Sequence, residues 1–283
     1  MTIFTSLPEM QQLAERIRQQ GKRIGVVPTM GALHAGHLSL IQHAQEKTDI
    51  VITTIFVNPK QFGPTEDFEK YPRDIDRDVK MIEECGCDIV FIPKKGEMYP
   101  EQFATFVGTE SYENILEGKS RPSHFRGVTT VVAKLLHITK PHVAVFGQKD
   151  AQQVFIVRKM VRDLNFDVQI ITAPIIRESD GLAMSSRNVY LSSEERKEAC
   201  VLFQSLQRAE KLITEGERVS SNIIFSMKNL VEEKPNARLD YISIADWSTL
   251  EEMETIRAGK EILISLAVRF GNTRLIDNTV VNV

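Results

Sequence analysis

Through its first 175 residues the chain alternates short, nearly continuous apolar runs with helical stretches, and this alternation limits the fold more than any other feature. The runs are RIGVVP (23–28), DIVITTIFV (49–57), CDIVFIP (87–93), PHVAVF (141–146) and DVQIIT (167–172). A strand wetted on one side alternates apolar and polar residues. An unbroken apolar strand is buried on both faces, the condition of a parallel sheet covered by helices. Helical patterns fall between the runs, over 8–20, 36–47, 72–85, 127–139 and 150–165. Strand then helix, repeated, predicts an α/β doubly wound parallel sheet. After about residue 177 the texture changes to long charged helical stretches (192–215, 218–233), then to strand-like LDYISIAD, EILISLAV and TRLIDN. That pattern predicts a second, smaller α+β domain, with boundaries at 1–176 and 177–283. No glycine-serine linker separates the halves, so close packing with the ligand between them is expected.

Ligands of doubly wound sheets sit outside the carboxyl ends of strands. Three candidate motifs follow such ends. In VVPTMGALHAGHLSL (26–40), His34 and His37 stand three apart around Gly36, so a helix starting near Gly36 points both imidazoles at one spot near its amino end. That end attracts anions through its unpaired N–H groups and the helix dipole. A phosphate site and a pair of solvated histidines are both open on these residues alone. FVNPKQFG (56–63) offers Asn58 and Gln61 on a loop, although turn chemistry alone explains such a segment. FGQKDAQQ (146–153) places Lys149 and Asp150 just past a strand with Gln153 one turn beyond, either a phosphate-binding point charge or a surface ion pair.

Two further stretches carry polar clusters. In GLAMSSRNVYL (181–191), Ser185, Ser186 and Arg187 either wrap a polyphosphate with hydroxyls and a planar fork or mark an ordinary turn. In YPRDIDRDVK (71–80), Asp74, Asp76 and Asp78 read either as a solvated helix start or as part of a Mg²⁺ site reached through nucleotide phosphates. The solvated reading suits Asp74 and Asp76. No Walker loop, no G-x-G-x-x-G after a strand and no G-x-S-x-G elbow occurs, which argues against P-loop hydrolysis, nicotinamide binding and α/β-hydrolase chemistry.

Bulk properties narrow the class. A net charge of −3 gives no general attraction to nucleic acid or an anionic membrane. No apolar run approaches the ~20 residues that span a bilayer, and MTIFTSLPEM lacks the charged start and apolar core of a secretory signal. Three cysteines, Cys85, Cys87 and Cys200, fit a reducing compartment. A soluble cytoplasmic protein is expected. CGCDIV, with no second cysteine or histidine pair nearby, reads as small residues at a helix-to-strand turn rather than a metal site.

Together the motifs carry a resemblance. PTMGALHAGHLSL resembles the His-x-Gly-His signature of the nucleotidylyltransferase superfamily, and MSSRN resembles its second phosphate loop. With FVNPKQFG, YPRD, LEGKSRPSHFRGV, FGQKDAQQ and RLIDN, in order over nearly the whole length, the chain resembles the pantoate–β-alanine ligase family. The resemblance implies a Rossmann-like first domain, a smaller lid domain and a homodimer. It implies an ATP-dependent joining of D-pantoate and β-alanine to give pantothenate, AMP and pyrophosphate through a pantoyl-adenylate, with Mg²⁺. It places ATP on Met30, Gly31, Ala32, Leu33, His34, Ala35, Gly36, His37, Gly147, Gln148, Lys149, Asp150, Ile176, Met184, Ser185, Ser186 and Arg187, with His37 as a proton donor and His34, His37 and Lys149 as the catalytic set. Gln61 and Gln153 match pantoate-binding positions, Gln61 also lying near β-alanine, and Asp78 matches a magnesium-linked acid. Two departures stand out: Ser123 replaces the family's usual glycine in RPGHF, and Lys60 stands where an apolar residue is common. Two rivals are a nucleotidylyltransferase that leaves the nucleotide on its product, which free AMP would exclude, and an ATP-binding regulatory protein without turnover.

Overall fold

The computed structural model describes residues 1–64 and 66–283. It divides into two compact units, residues 1–148 with 152–174, and residues 149–151 with 175–283.

The first unit contains, in chain order, β1 (Thr2–Phe4), α1 (Leu7–Gln19), β2 (Ile24–Thr29), α2 (Ala35–Gln45), β3 (Ile50–Ile55), α3 (Ile75–Glu84), β4 (Ile89–Phe91), two one-turn helices α4 (Lys95–Met98) and α5 (Glu117–Ser120), then α6 (His124–Thr139), β5 (Val143–Gly147), α7 (Ala151–Asp163, all but its first residue in this unit) and β6 (Gln169–Ala173). The strands form one six-stranded sheet in the order β1-β4-β3-β2-β5-β6, with every pairing parallel. Strand side chains alternate between faces, and both faces are buried. Ile24, Val26, Ile52, Phe91, Ala144 and Phe146 pack with α1, α6 and α7 on one side. Val27, Val51, Val90, Val143 and Val145 pack with α2 and α3 on the other. This two-sided burial is why the strands read as continuous apolar runs. The expected doubly wound sheet is present, with one strand more than the apolar runs announced. β1 is three residues at a sheet edge, too short and too exposed to leave a periodic signal.

From β2 the chain winds outward through β3 and β4, then returns to add β5 on the other side of β2. The reversal between β2 and β5 is the switch point where such sheets leave a crevice beyond their carboxyl ends. Met30–His34 leave the end of β2 and Gly147 is the last residue of β5.

The second unit holds α8 (Ser193–Glu198), α9 (Val201–Thr214), α10 (Ser220–Glu232) and the antiparallel sheet β7-β8-β9 (Ala237–Asp246, Glu261–Phe270, Thr273–Asn282). Leu202, Leu206, Ala209 and Ile213 form the buried stripe of α9, and Ile223, Met227 and Val231 that of α10. Both stripes pack on Ile244, Ile262, Ile264 and Leu266. The helical stretch expected over 192–215 is broken at Ala199–Cys200 into α8 and α9.

Candidate active site

The histidine turn is built from underneath. At the end of β2, the Thr29 hydroxyl donates to the Thr54 carbonyl at 2.6 Å and accepts from the Gly31 amide at 3.2 Å. Gly31 (φ +80°) and Ala32 (φ +51°) then both take the left-handed conformation, which costs a non-glycine residue about 1–2 kcal/mol. Asp78 holds the alanine there. Its carboxylate, 1 % exposed, accepts from the Ala32 amide through Oδ2 and from the Leu33 amide through Oδ1, each at 2.8 Å. A Cβ on Gly31 would lie 2.8 Å from Asp78 Oδ2, so the close approach requires glycine.

Asp78, expected as a magnesium-linked acid, is engaged here by the turn itself. Both oxygens are engaged by backbone amides in a buried setting, whereas Mg²⁺ demands a near-octahedral set of oxygens and keeps several waters. Among the described residues, no group of three or more His, Cys, Asp or Glu is placed to hold a metal. Asp78 is the clamp of the turn. Asp74 caps α3 by accepting from the Arg77 amide at 3.1 Å, and Asp76 is exposed. Cys85, Gly86 (φ +76°) and Cys87 make the turn from α3 to β4, with both thiols free and pushed up in pKa by burial.

His34 is the N-cap of α2, and the two histidines cap that helix together. His34 Nδ1 accepts from the Gly36 amide at 3.2 Å, and His37 Nδ1 accepts from the His34 amide at 3.4 Å. A neutral imidazole that accepts at Nδ1 carries its proton at Nε2. Both rings, with centroids 4.2 Å apart, are therefore Nε2–H donors at a helix amino end.

Gln61 closes a 3-10 turn after β3, and its amide polarity follows from a chain of contacts. Asn58, 1 % exposed, faces the Gly127 carbonyl at 3.1 Å, an acceptor, and the Lys60 amide at 3.2 Å, a donor. Its Nδ2 must face the first and its Oδ1 the second. Oδ1 also accepts from the Tyr99 hydroxyl at 2.7 Å, and Nδ2 donates to Gln61 Oε1 at 2.9 Å. Gln61 is left with Nε2 against the weakly accepting Met30 Sδ at 3.1 Å. The Gln61 carbonyl is held by His124 Nδ1 at 2.8 Å. His124 Nε2 meets the donor Arg121 at 3.0 Å, and Arg121 is ion-paired to Glu66 at 2.6 Å. Ser123 adopts φ +66°, the conformation that the usual glycine would take without strain. Lys60 lays its ammonium 5.8 Å from the ring centroids of both Tyr99 and Phe106, which accounts for a cation at an apolar position. On α7, Gln152 is buried and committed to the Glu117 amide and the Tyr112 and Ile115 carbonyls, while Gln153 is half-buried.

In the second unit, Lys149 Nζ lies 3.9 Å from Asp150 and its carbonyl accepts from Asn278 Nδ2 at 2.9 Å. Ile176 and Met184 meet through a 3.0 Å backbone bond that closes the hairpin leading into the serine loop. Ser185 Oγ accepts from the Arg187 amide at 3.3 Å, and Ser185, Ser186 and Arg187 are half-buried. Asn188 donates to Glu178 at 3.0 Å, and Arg196 joins Glu178 (2.8 Å) to Asp180 (2.7 Å). Within the first unit the structure thus brings together Met30 and Gln61, and His34 and His37. Within the second it brings together Lys149 and Asp150, Ile176 and Met184, and Ser185 and Arg187. The supports of these groups (Glu178, Arg196, Asp277, Asn278, Arg121, His124) were not singled out from the sequence. Arg177 and Asp277, 100 residues apart, Asn278 and Lys149, 129 apart, and His124 and Gln61, 63 apart, leave no local spacing to read.

Comparison with known proteins identifies the family. Residues 2–280 match the family described as Pantoate-beta-alanine ligase. The chain is 50 % identical over 283 residues to a pantothenate synthetase of Acetivibrio thermocellus, covering 100 % of both chains. It is 52 % identical over 280 residues to that of Thermotoga neapolitana, covering 99 % of both. Its fold superposes on the crystal structure of pantothenate synthetase from Thermus thermophilus with a TM-score of 0.92, at 42 % identity over 99 % of each chain. A pantoate-beta-alanine ligase from Francisella tularensis, solved in complex with beta-gamma ATP and beta-alanine, aligns at TM-score 0.79 and 34 % identity over 99 % of this chain and 97 % of that one. The chain belongs to the pantoate–β-alanine ligase family, and its activity is the ligation that joins pantoate to β-alanine and forms pantothenate.

Proposed function

We propose that ligation runs in two steps through a pantoyl-adenylate, with His34, His37, Lys149, Ser185, Ser186 and Arg187 on the phosphates of ATP and with Gln61 and Gln153 on pantoate. A carboxylate of pKa about 4 is ionised at neutral pH and attacks without a base. Its oxygen bonds to the α-phosphorus, the bond to pyrophosphate breaks, and the leaving oxygens take the electron pair. Charge then grows on phosphate oxygens, where preorganised donors act most strongly. The family resemblance assigns ATP-binding positions to Met30–His37 and Gly147–Gln148 of the first unit and to Lys149, Asp150, Ile176 and Met184–Arg187 of the second. Mg²⁺ would supply further charge stabilisation on the phosphates of ATP.

The observation that carries this reading is the shared tautomer of His34 and His37, whose Nδ1 atoms accept from the backbone. With Nδ1 of each ring engaged by the backbone, His37 acts on the phosphates as an Nε2–H hydrogen-bond donor rather than as a base. Gln61 complements it. Its Nε2–H, fixed by Asn58, suits a pantoate oxygen and leaves the nucleophile's charge undiminished by any cation. In the second step the nitrogen of β-alanine attacks the acyl carbon and AMP leaves. The ammonium releases one proton to solvent before attack and the adduct releases a second to solvent as AMP leaves.

Pyrophosphate exchange tests the order of events. Labelled pyrophosphate should enter ATP when pantoate is present and β-alanine absent, and should not when pantoate is omitted. Exchange that requires β-alanine would replace the adenylate with a concerted three-substrate reaction. Assembly as a homodimer and a cytoplasmic location complete the reading on the family resemblance.

A further inference from the structure

The RLIDN segment near the carboxyl terminus lies on β9, at some distance in sequence from every group assigned above. Asp277 and Asn278 are 2 % and 3 % exposed, and as neighbours on a strand their side chains leave opposite faces. Asp277 receives a bidentate fork from Arg177, at 2.6 Å and 3.0 Å, together with the Asn278 amide at 2.8 Å. The same guanidinium donates to the Gly181 carbonyl at 3.0 Å and stacks 4.3 Å from the Phe203 ring. Gly181 (φ +93°) is the reversal of the hairpin that delivers Met184–Arg187, and a Cβ there would fall 2.1 Å from the Phe203 ring. Asn278 Nδ2 reaches the Lys149 carbonyl at 2.9 Å. A strand that needed only to be buried would carry apolar residues here. These two polar residues each hold the backbone of a segment bearing a cation.

We propose that Asp277 and Asn278 are positioning residues of the ligation reaction. Asn278 fixes the turn that aims the Lys149 ammonium, and Asp277, through Arg177, fixes the hairpin that aims Arg187. One strand thereby sets both cations in a single frame. The proposal rests on the reading of Lys149 and Ser185–Arg187 as phosphate ligands. Neither residue touches substrate, and each acts through the backbone of the group it holds.

A cycle of variants tests it, read by pantoate-dependent pyrophosphate exchange and by thermal melting. Asn278→Ala should lower the exchange rate by about 10- to 100-fold, the scale of a small misplacement of a catalytic group, while melting changes little. Asn278→Leu, which keeps the volume without the donor, should behave alike and replaces the alanine variant if that one does not fold. In a Lys149→Ala background, where the carbonyl remains but the ammonium is gone, the same change at 278 should cost little further, the non-additivity of a residue that acts only through its partner. Arg177→Lys keeps the charge beside Asp277 without the fork, and should raise KM for ATP in the wild-type background but not in Arg187→Ala. Folded Asn278 variants with full exchange, or an equal fold-loss in both backgrounds, would overturn the positioning role. If Lys149→Ala itself exchanged at the wild-type rate, the phosphate reading would fall and this proposal with it. A crippled Lys149→Ala beside active Asn278 variants would remove this proposal alone.

Discussion

The Met30–His37 turn is fixed from below by a buried carboxylate acting on backbone amides, whereas the Met184–Arg187 loop is tied at its edges by a lattice of side-chain ion pairs. Asp78 is 1 % exposed and its two bonds are local to one turn. In the loop's lattice, Arg196 and Glu178 have side chains 27 % and 35 % exposed. The Arg196 guanidinium holds the Asp180 carboxyl well below the usual carboxylate range. Both regions present hydrogen-bond donors suited to phosphate. The first is preorganised by a dry contact that salt does not screen, the second by partly wet contacts that it does.

The largest effect expected from breaking this contrast is in the turn. His37→Ala should reduce turnover by about 10²–10³-fold, the usual cost of one donor on developing charge, with stability lowered by no more than the roughly 0.5–2 kcal/mol of a lost helix cap. A folded variant with near-normal turnover would detach His37 from the phosphates. Asp78→Asn should act on stability and rate together. Its Nδ2 would face an amide that needs an acceptor, leaving a buried donor unsatisfied at a cost of about 1–3 kcal/mol, with His34 and His37 displaced as Ala32 relaxes from φ +51°. Denaturant melts and kcat should fall together. A drop in stability at normal kcat would mean that the turn keeps its shape without the clamp.

Legibility in the sequence divides along the same line. The histidine turn could be read because its logic is local: glycines, a helix start and a three-residue spacing are written within fifteen residues. The parallel sheet could be read because both of its faces are buried. The clamp made by Asp78 is not legible, because a carboxylate near a phosphate motif serves a metal or a backbone equally well on paper, and its amide partners are 45 and 46 residues away. Asn278 and Lys149, 129 residues apart, and Arg177 and Asp277, 100 apart, meet only once the second unit has folded. No periodicity records such contacts.

Smaller effects sharpen the comparison. Glu178→Gln removes one arm of the Arg196 lattice and should cost about 0–1 kcal/mol, with a modest rise in KM for ATP that shrinks as salt is added. A loss independent of ionic strength would show that the loop is held by packing instead. Ser123→Gly, outside both regions, relieves a left-handed serine and should stabilise the fold by a few tenths to about 1 kcal/mol, measured as a higher melting temperature. A fall in melting temperature would mean that the serine side chain outweighs its backbone strain.

The central claim is that His34 and His37 meet ATP as paired Nε2–H donors. Nitrogen-15 NMR of the histidine-labelled protein tests it directly, because a neutral ring reports separate shifts for its protonated and bare nitrogens. Both residues are expected to carry the proton at Nε2 in the free protein, and a non-hydrolysable ATP analogue to shift both Nε2 signals while Nδ1 stays an acceptor. Protonation at Nδ1 in either ring, or Nε2 signals that ignore saturating nucleotide, would contradict it.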